Sequence, residues 1–126
     1  MERCSTILKD GRFATGSWDS TIIVFNDKTF IPDIIIKEQK GVVSYNIQLS
    51  SGDLASSSSD KTIKIFSISE NKYQVIQTLK DNKDSVTTII ELKNKQFISS
   101  SMDKSINTLI KIIMNIKKFN YLFKRV

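Results

Sequence analysis

The chain has 126 residues, 40% hydrophobic and 25% charged, which fits one globular domain or part of one and is too short for two. Cys4 is the single cysteine, so an internal disulfide is excluded; Met1 to Gly11 holds no apolar stretch of signal-peptide length, and Leu109 to Phe123 is broken by Lys111, Lys117 and Lys118 before it reaches the length of a membrane helix. The net charge of +6 is concentrated at one end, because residues 111–126 hold five bases and no acid, while the rest carries 14 bases against 13 acids.

A repeat organises the chain. Leu8-Lys-Asp-Gly-Arg-Phe13-Ala-Thr-Gly-Ser17-Trp-Asp19-Ser-Thr21-Ile-Ile-Val-Phe25 returns as Leu49-Ser-Ser-Gly-Asp-Leu54-Ala-Ser-Ser-Ser58-Ser-Asp60-Lys-Thr62-Ile-Lys-Ile-Phe66. It returns again as Leu92-Lys-Asn-Lys-Gln-Phe97-Ile-Ser-Ser-Ser101-Met-Asp103-Lys-Ser105-Ile-Asn-Thr-Leu109. Asp19 to Asp60 is 41 residues and Asp60 to Asp103 is 43, and the leading leucines keep the same two intervals. Positions that shift together mark equivalent structural units.

Each unit reads as short strands. Val42 to Leu49 is rich in β-branched residues, small residues fill Leu54 to Ser59, Thr62 to Ile68 alternates with period two, and Tyr73 to Lys80 supplies a fourth strand before Val86 to Leu92 opens the next unit. Asp19, Asp60 and Asp103 fall in the turn between second and third strands, where a carboxylate accepts backbone N–H bonds. Their role is read as structural, since acid–base chemistry pairs carboxylates in one cleft and these sit in separate units. The serine run Ser56 to Ser59 is read as close-packed strand rather than nucleophile, because Ala14 to Ser17 and Ile98 to Ser101 occupy its place elsewhere.

The chain contains no histidine and one cysteine, which removes Ser-His-Asp and Cys-His nucleophiles, a histidine general base and a Cys/His zinc site. It also has neither glycine-rich phosphate-binding motif. No catalysis, cofactor or metal is expected.

The run Leu54-Ala-Ser-Ser-Ser-Ser-Asp60-Lys-Thr-Ile-Lys-Ile-Phe66 resembles the signature stretch of a WD40 repeat, and Leu79-Lys-Asp-Asn82-Lys-Asp-Ser-Val86 resembles that family's Gly-His approach to the next repeat. The likeness covers roughly residues 5–110. It implies an all-β fold, a partial β-propeller of about three four-stranded antiparallel blades with the last imperfect. The corresponding units are about 1–38, 39–80 and 81–112, followed by a basic apolar tail at 111–126. The implied function is a non-catalytic intracellular scaffold or adaptor, cytoplasmic and a fragment of a longer propeller, that binds other proteins. A second copy or another chain would complete the ring. Nucleic acid and membrane are disfavoured as partners.

The departures carry their own expectation. Gln39 and Asn82 stand where the family has histidine, and Phe25, Phe66 and Leu109 stand where it has tryptophan. A buried His, Ser/Thr, Asp and Trp network is therefore expected to be incomplete in every repeat, at a cost in stability. Carried over position by position, the family's binding rim implies Trp18, Ser59 and Met102 before the turn aspartates, with Val42 and Ser85 before the valines that open first strands. Trp18 reads either as a partner-binding aromatic or as a ring lying over the neighbouring loop.

The tail has two readings. On a helix, Leu109, Ile112, Ile113, Ile116, Phe119 and Phe123 face one way and Lys111, Lys118 and Arg125 the other, the pattern for a membrane surface or an acidic partner, which makes peripheral-membrane or nucleic-acid contact through residues 109–126 the alternative function. The same isoleucines suit an extended third strand followed by a fourth at Phe119 to Val126, which is what the repeat asks for.

Overall fold

The computed structural model describes residues 2–80, 85–93, 97–102, 108–115 and 120–125. All regular structure among them is strand: β1 (Glu2–Ile7), β2 (Phe13–Ser17), β3 (Ile22–Phe25) and β4 (Pro32–Ile36), then β5 (Val43–Gln48), β6 (Leu54–Ser58), β7 (Ile63–Ile68) and β8 (Tyr73–Leu79). A third set follows, β9 (Val86–Glu91), β10 (Phe97–Met102), β11 (Thr108–Asn115) and β12 (Asn120–Arg125). Each set forms one antiparallel sheet in chain order, so the three repeats fold as three like units.

Turn chemistry repeats with the sequence. Between first and second strands, Gly11 N donates to Leu8 O (3.0 Å) and Gly52 N to Leu49 O (2.9 Å), with both glycines at positive φ, 95° and 96°. An L side chain is strained there, which explains the glycine at this step of the repeat. Between second and third strands, Ser17 N donates to Thr21 O and Ser58 N to Thr62 O, each at 3.1 Å.

Pleating sorts the side chains onto two faces. In the first sheet Ala14, Ile22, Val24, Ile34 and Ile36, with Leu8, form one buried face; Val43, Leu54 and Phe66 of the second sheet close over it, with Tyr73 and Val75 at the margin. The other face of the second sheet buries Leu49, Ala55, Ile63, Ile65 and Leu79 against Val86 and Ile89 of the third. Successive sheets meet through their first and second strands, β1 and β2 on β5, then β5 and β6 on β9. The fourth strands thus lie at the outside of a radial stack.

A second tie reinforces each joint. Lys9 N donates to Gln48 Oε1 and Ser50 N to Glu91 Oε1, both at 2.7 Å. Lys9 and Ser50 are equivalent positions, as are Gln48 and Glu91, so the same clasp is made twice. Gly16 lets the first joint close: a Cβ there would stand 2.5 Å from Val43 Cγ1 and 2.8 Å from Cys4 Sγ.

The tail is extended rather than helical. β11 pairs with β10 from Phe97↔Ile113 to Met102↔Thr108, and β12 pairs with β11 from Leu109↔Arg125 to Asn115↔Asn120. The helical placement is therefore corrected for the described residues 109–115 and 120–123: strand β10 offers β11 a ladder of backbone partners, and an isoleucine-rich segment satisfies its amides there.

Phe66 is fully buried at the first joint and meets Tyr73 edge-on at 6.0 Å between ring centroids. Phe66→Ala is expected to lower unfolding free energy by about 3–5 kcal/mol in urea melts, as large-to-small core changes do. A loss below about 1 kcal/mol would show that this joint does not carry the core.

Candidate functional site

The turns between second and third strands line one end of the stack, and their aspartates organise them. Thr21 donates to Asp19 Oδ1 through its backbone N (3.1 Å) and its hydroxyl (2.6 Å). Asp60 receives the same two bonds from Thr62, and its second oxygen accepts from Lys40 N at 2.9 Å. Asp19 is held below the usual carboxylate range, chiefly by the Thr21 hydroxyl and then by the Thr21 amide. Burial works to raise Asp60, but the bonds from Thr62, Lys40 and Ser58 outweigh it and its carboxyl also lies low. Asp103 lies outside the described residues.

Gln39 completes a chain of contacts behind Asp60. Its Nε2 donates to Ser56 Oγ (2.5 Å), and its Oε1 lies 3.0 Å from Thr62 Oγ1. The Thr62 hydroxyl has one proton for two acceptors, and the charged Asp60 carboxylate is the stronger. Ser56 and Gln39 are buried. Backbone packing is tight here, since a Cβ on Gly41 would sit 2.5 Å from Ser59 Oγ and 2.9 Å from Asp60 N.

Three of the predicted rim residues are brought together. Ser59 N donates to Val42 O (2.9 Å), and Ser85 Oγ donates to Ser59 O (3.4 Å), linking the second turn to the openings of β5 and β9. Trp18 occupies the equivalent turn of the first sheet with 55% of its surface exposed. Met102 ends β10 opposite Thr108, and its side chain lies outside the description.

The repeat alignment did not single out Arg12. Only 12% of its side chain is exposed, at the opposite end of the first joint; it pairs with Asp10 (2.9 Å) and Asp33 (3.6 Å) and donates to Glu70 O (2.9 Å) and Ser69 O (3.1 Å) of the second sheet. Its partners are up to 58 residues away, so no local spacing points to it. Among the described residues no group of three or more His, Cys, Asp or Glu is placed to hold a metal ion.

Residues 3–26 match the family model of the WD40 repeat, described as WD domain, G-beta repeat. Over 95% of its length the chain superposes on the structure of U3-55K, with a TM-score of 0.77, and on the crystal structure of RRP9 WD40 repeats, with a TM-score of 0.78, each at 20% identity. The fold is that of the WD40-repeat proteins. The chain spans 36% and 35% of those two chains, about a third of their length. No curated protein matches it.

In WD40 terms the sheets are blades, and the network of the second blade is incomplete, as the sequence led one to expect, while keeping part of its polar contacts. Gln39 keeps a place in it. A primary amide offers a donor and an acceptor on one planar group, as a neutral imidazole does; its donor holds Ser56, and its acceptor lies beside the Thr62 oxygen that bonds Asp60. Only Phe66, in the tryptophan's place, contributes no polar atom.

Two measurements test this arrangement. Gln39→Leu should cost about 1–3 kcal/mol, because it strands buried hydroxyls, and Gln39→His should cost less; equal losses would mean that the amide's polarity is idle. For pH, the folded Asp60 carboxyl lies below its ordinary 3.8, so its stabilisation is present above that value and fades as pH falls through the lower folded one. The stability difference between wild type and Asp60→Asn should therefore be constant near neutrality and shrink in acid below about pH 4. A difference unchanged down to about pH 2 would contradict the bonding described.

Proposed function

We propose that this chain is a non-catalytic protein-binding scaffold or adaptor piece that works inside the cell and takes its partner on the turn rim. WD40-repeat proteins are generally protein-interaction scaffolds, and the residues offered here are Trp18, Val42, Ser59, Ser85 and Met102. The observation that carries the reading is Trp18: an indole more than half in solvent, on a turn braced by the Asp19–Thr21 bonds. A preorganised aromatic orders little on binding, which is why such residues dominate interface energies. Val42, Ser59 and Ser85 add a hydrogen-bonded, mostly neutral surface beside it.

The chemistry of the site supports binding over turnover. Asp19 and Asp60 spend their lone pairs on turn hydrogen bonds and stay ionised, so neither is poised to exchange protons near neutrality. Contact with an anionic surface would have to come from the bases between Lys111 and Arg125.

Capture of cell proteins on immobilised chain, followed by binding titrations with the captured partner, tests the reading. Trp18→Ala should weaken the partner about tenfold or more with an unchanged melting curve, and the affinity should vary little between about 50 and 200 mM salt. A steep fall with salt and no effect of Trp18→Ala would transfer the function to the basic tail.

A further inference from the structure

The face of the first blade that points away from the second is built differently from the faces buried between blades. Register places Ser5, Thr15, Ile23 and Ile35 in one row across it and Ile7, Phe13, Phe25 and Pro32 in the next. No charged side chain interrupts these rows. Ile7 is 79% exposed, Ile35 49% and the neighbouring Phe30 68%.

On the second blade the equivalent face is buried against the first: Gln48 stands for Ile7, Leu54 for Phe13 and Phe66 for Phe25. There the two ends of the joint are polar. Gln48 accepts the Lys9 N–H at the inner end (2.7 Å), and Ser69 O and Glu70 O accept from Arg12 at the outer end. On the first blade the inner end is apolar, and the outer turn shows exposed Phe30 and Ile31 beside Asp27 and Lys28. Ile7 replaces the clasp acceptor, and Phe30 and Ile31 stand for Asn71 and Lys72 of the polar Ser69–Lys72 turn.

Phe30 is also held in an unfavourable conformation. Its φ is 59°, in the left-handed region where an aromatic side chain is strained and glycine is not. The turn is fixed around it by Phe30 N to Asn26 O and Asn26 N to Ile31 O, both 3.0 Å, and by the Asn26 side chain, which accepts from Lys28 N and Thr29 N. The fold thus presents a phenyl ring to solvent from a rigid turn, beside Phe13 at 6.4 Å and the Phe13–Phe25 stack at 5.1 Å.

From this we infer that the open face of the first blade is a dimerisation surface that takes the same face of a second copy of this chain. A preceding blade of the kind seen here is a poor occupant, because its clasp N–H would meet Ile7 instead of an oxygen. Head-to-tail stacking fails for the same reason: the donor position of the third blade is Lys93, the equivalent of Lys9 and Ser50. The uncharged rows across the strands have no such mismatch with themselves, and pairing them about a twofold axis sets no like charges opposite each other within the rows. Four strands about 4.8 Å apart and five residues long at about 3.3 Å each project about 300 Å². Side-chain relief roughly doubles that, so two copies bury on the order of 1,200 Å², the lower edge of specific interfaces.

Sedimentation of the whole chain across the micromolar range tests the inference. The wild type should approach a limit at twice its 14.4 kDa chain mass and go no further. Ile7→Asp should shift it to the single-chain mass, weakening association about tenfold or more. Phe30→Gly should do the same while keeping or raising the melting temperature, since glycine accepts the positive φ. Ile76→Asp, at a residue 51% exposed on the second blade, should leave the dimer intact. A monomer throughout, a series of species that grows with concentration, or a dimer indifferent to Ile7→Asp and Phe30→Gly would each overturn it.

Discussion

Closing Leu54 and Phe66 of the second sheet over Ala14, Ile22 and Val24 of the first is the contact on which the rest of the structure depends. A single four-stranded sheet of this size has two faces and too little interior to hold itself together, so it gains stability only by stacking. The stack closes at the first and second strands, where Gly16 lets Val43 come within reach. That approach draws the clasps at Gln48 and Glu91 into hydrogen-bonding distance and places the turns of neighbouring sheets side by side. The turn rim is thus a by-product of the same packing that forms the core.

Polar groups refine what apolar burial begins. Asp60, Thr62, Gln39 and Ser56 connect the turn, the approach to β5 and the middle of β6, which ties the rim to the blade beneath it. Satisfied groups of this kind specify one arrangement among the many that burial alone would accept. Asn46 stands outside this scheme: it is buried, and neither polar atom of its side chain has a hydrogen-bond partner. We have no physical account of it.

The two surfaces of the first blade follow opposite chemistries. Its turn rim carries one tryptophan among neutral polar groups and braced backbone, a surface suited to an unlike partner. Its open sheet face carries contiguous aliphatic and phenyl groups, including a ring held at an unfavourable φ. The rim lies at the turn between β2 and β3, and the open face runs across the strands themselves.

By itself the sequence determined what short-range periodicity can encode. The strand of each segment and the turn aspartates follow from local spacing, because strand pleat and turn geometry are local, and the repeat follows from their recurrence at 41 and 43 residues. Tertiary structure decided what depends on partners farther away. Gln39 looked like a lost histidine until its amide was seen between Ser56 and Thr62, 17 and 23 residues on. Arg12 and the Lys9 clasp reach 58 and 39 residues, across a joint between sheets. The tail shows the limit most plainly: its isoleucines satisfy a helical stripe and a strand alike, and only the open edge of β10 selects the strand.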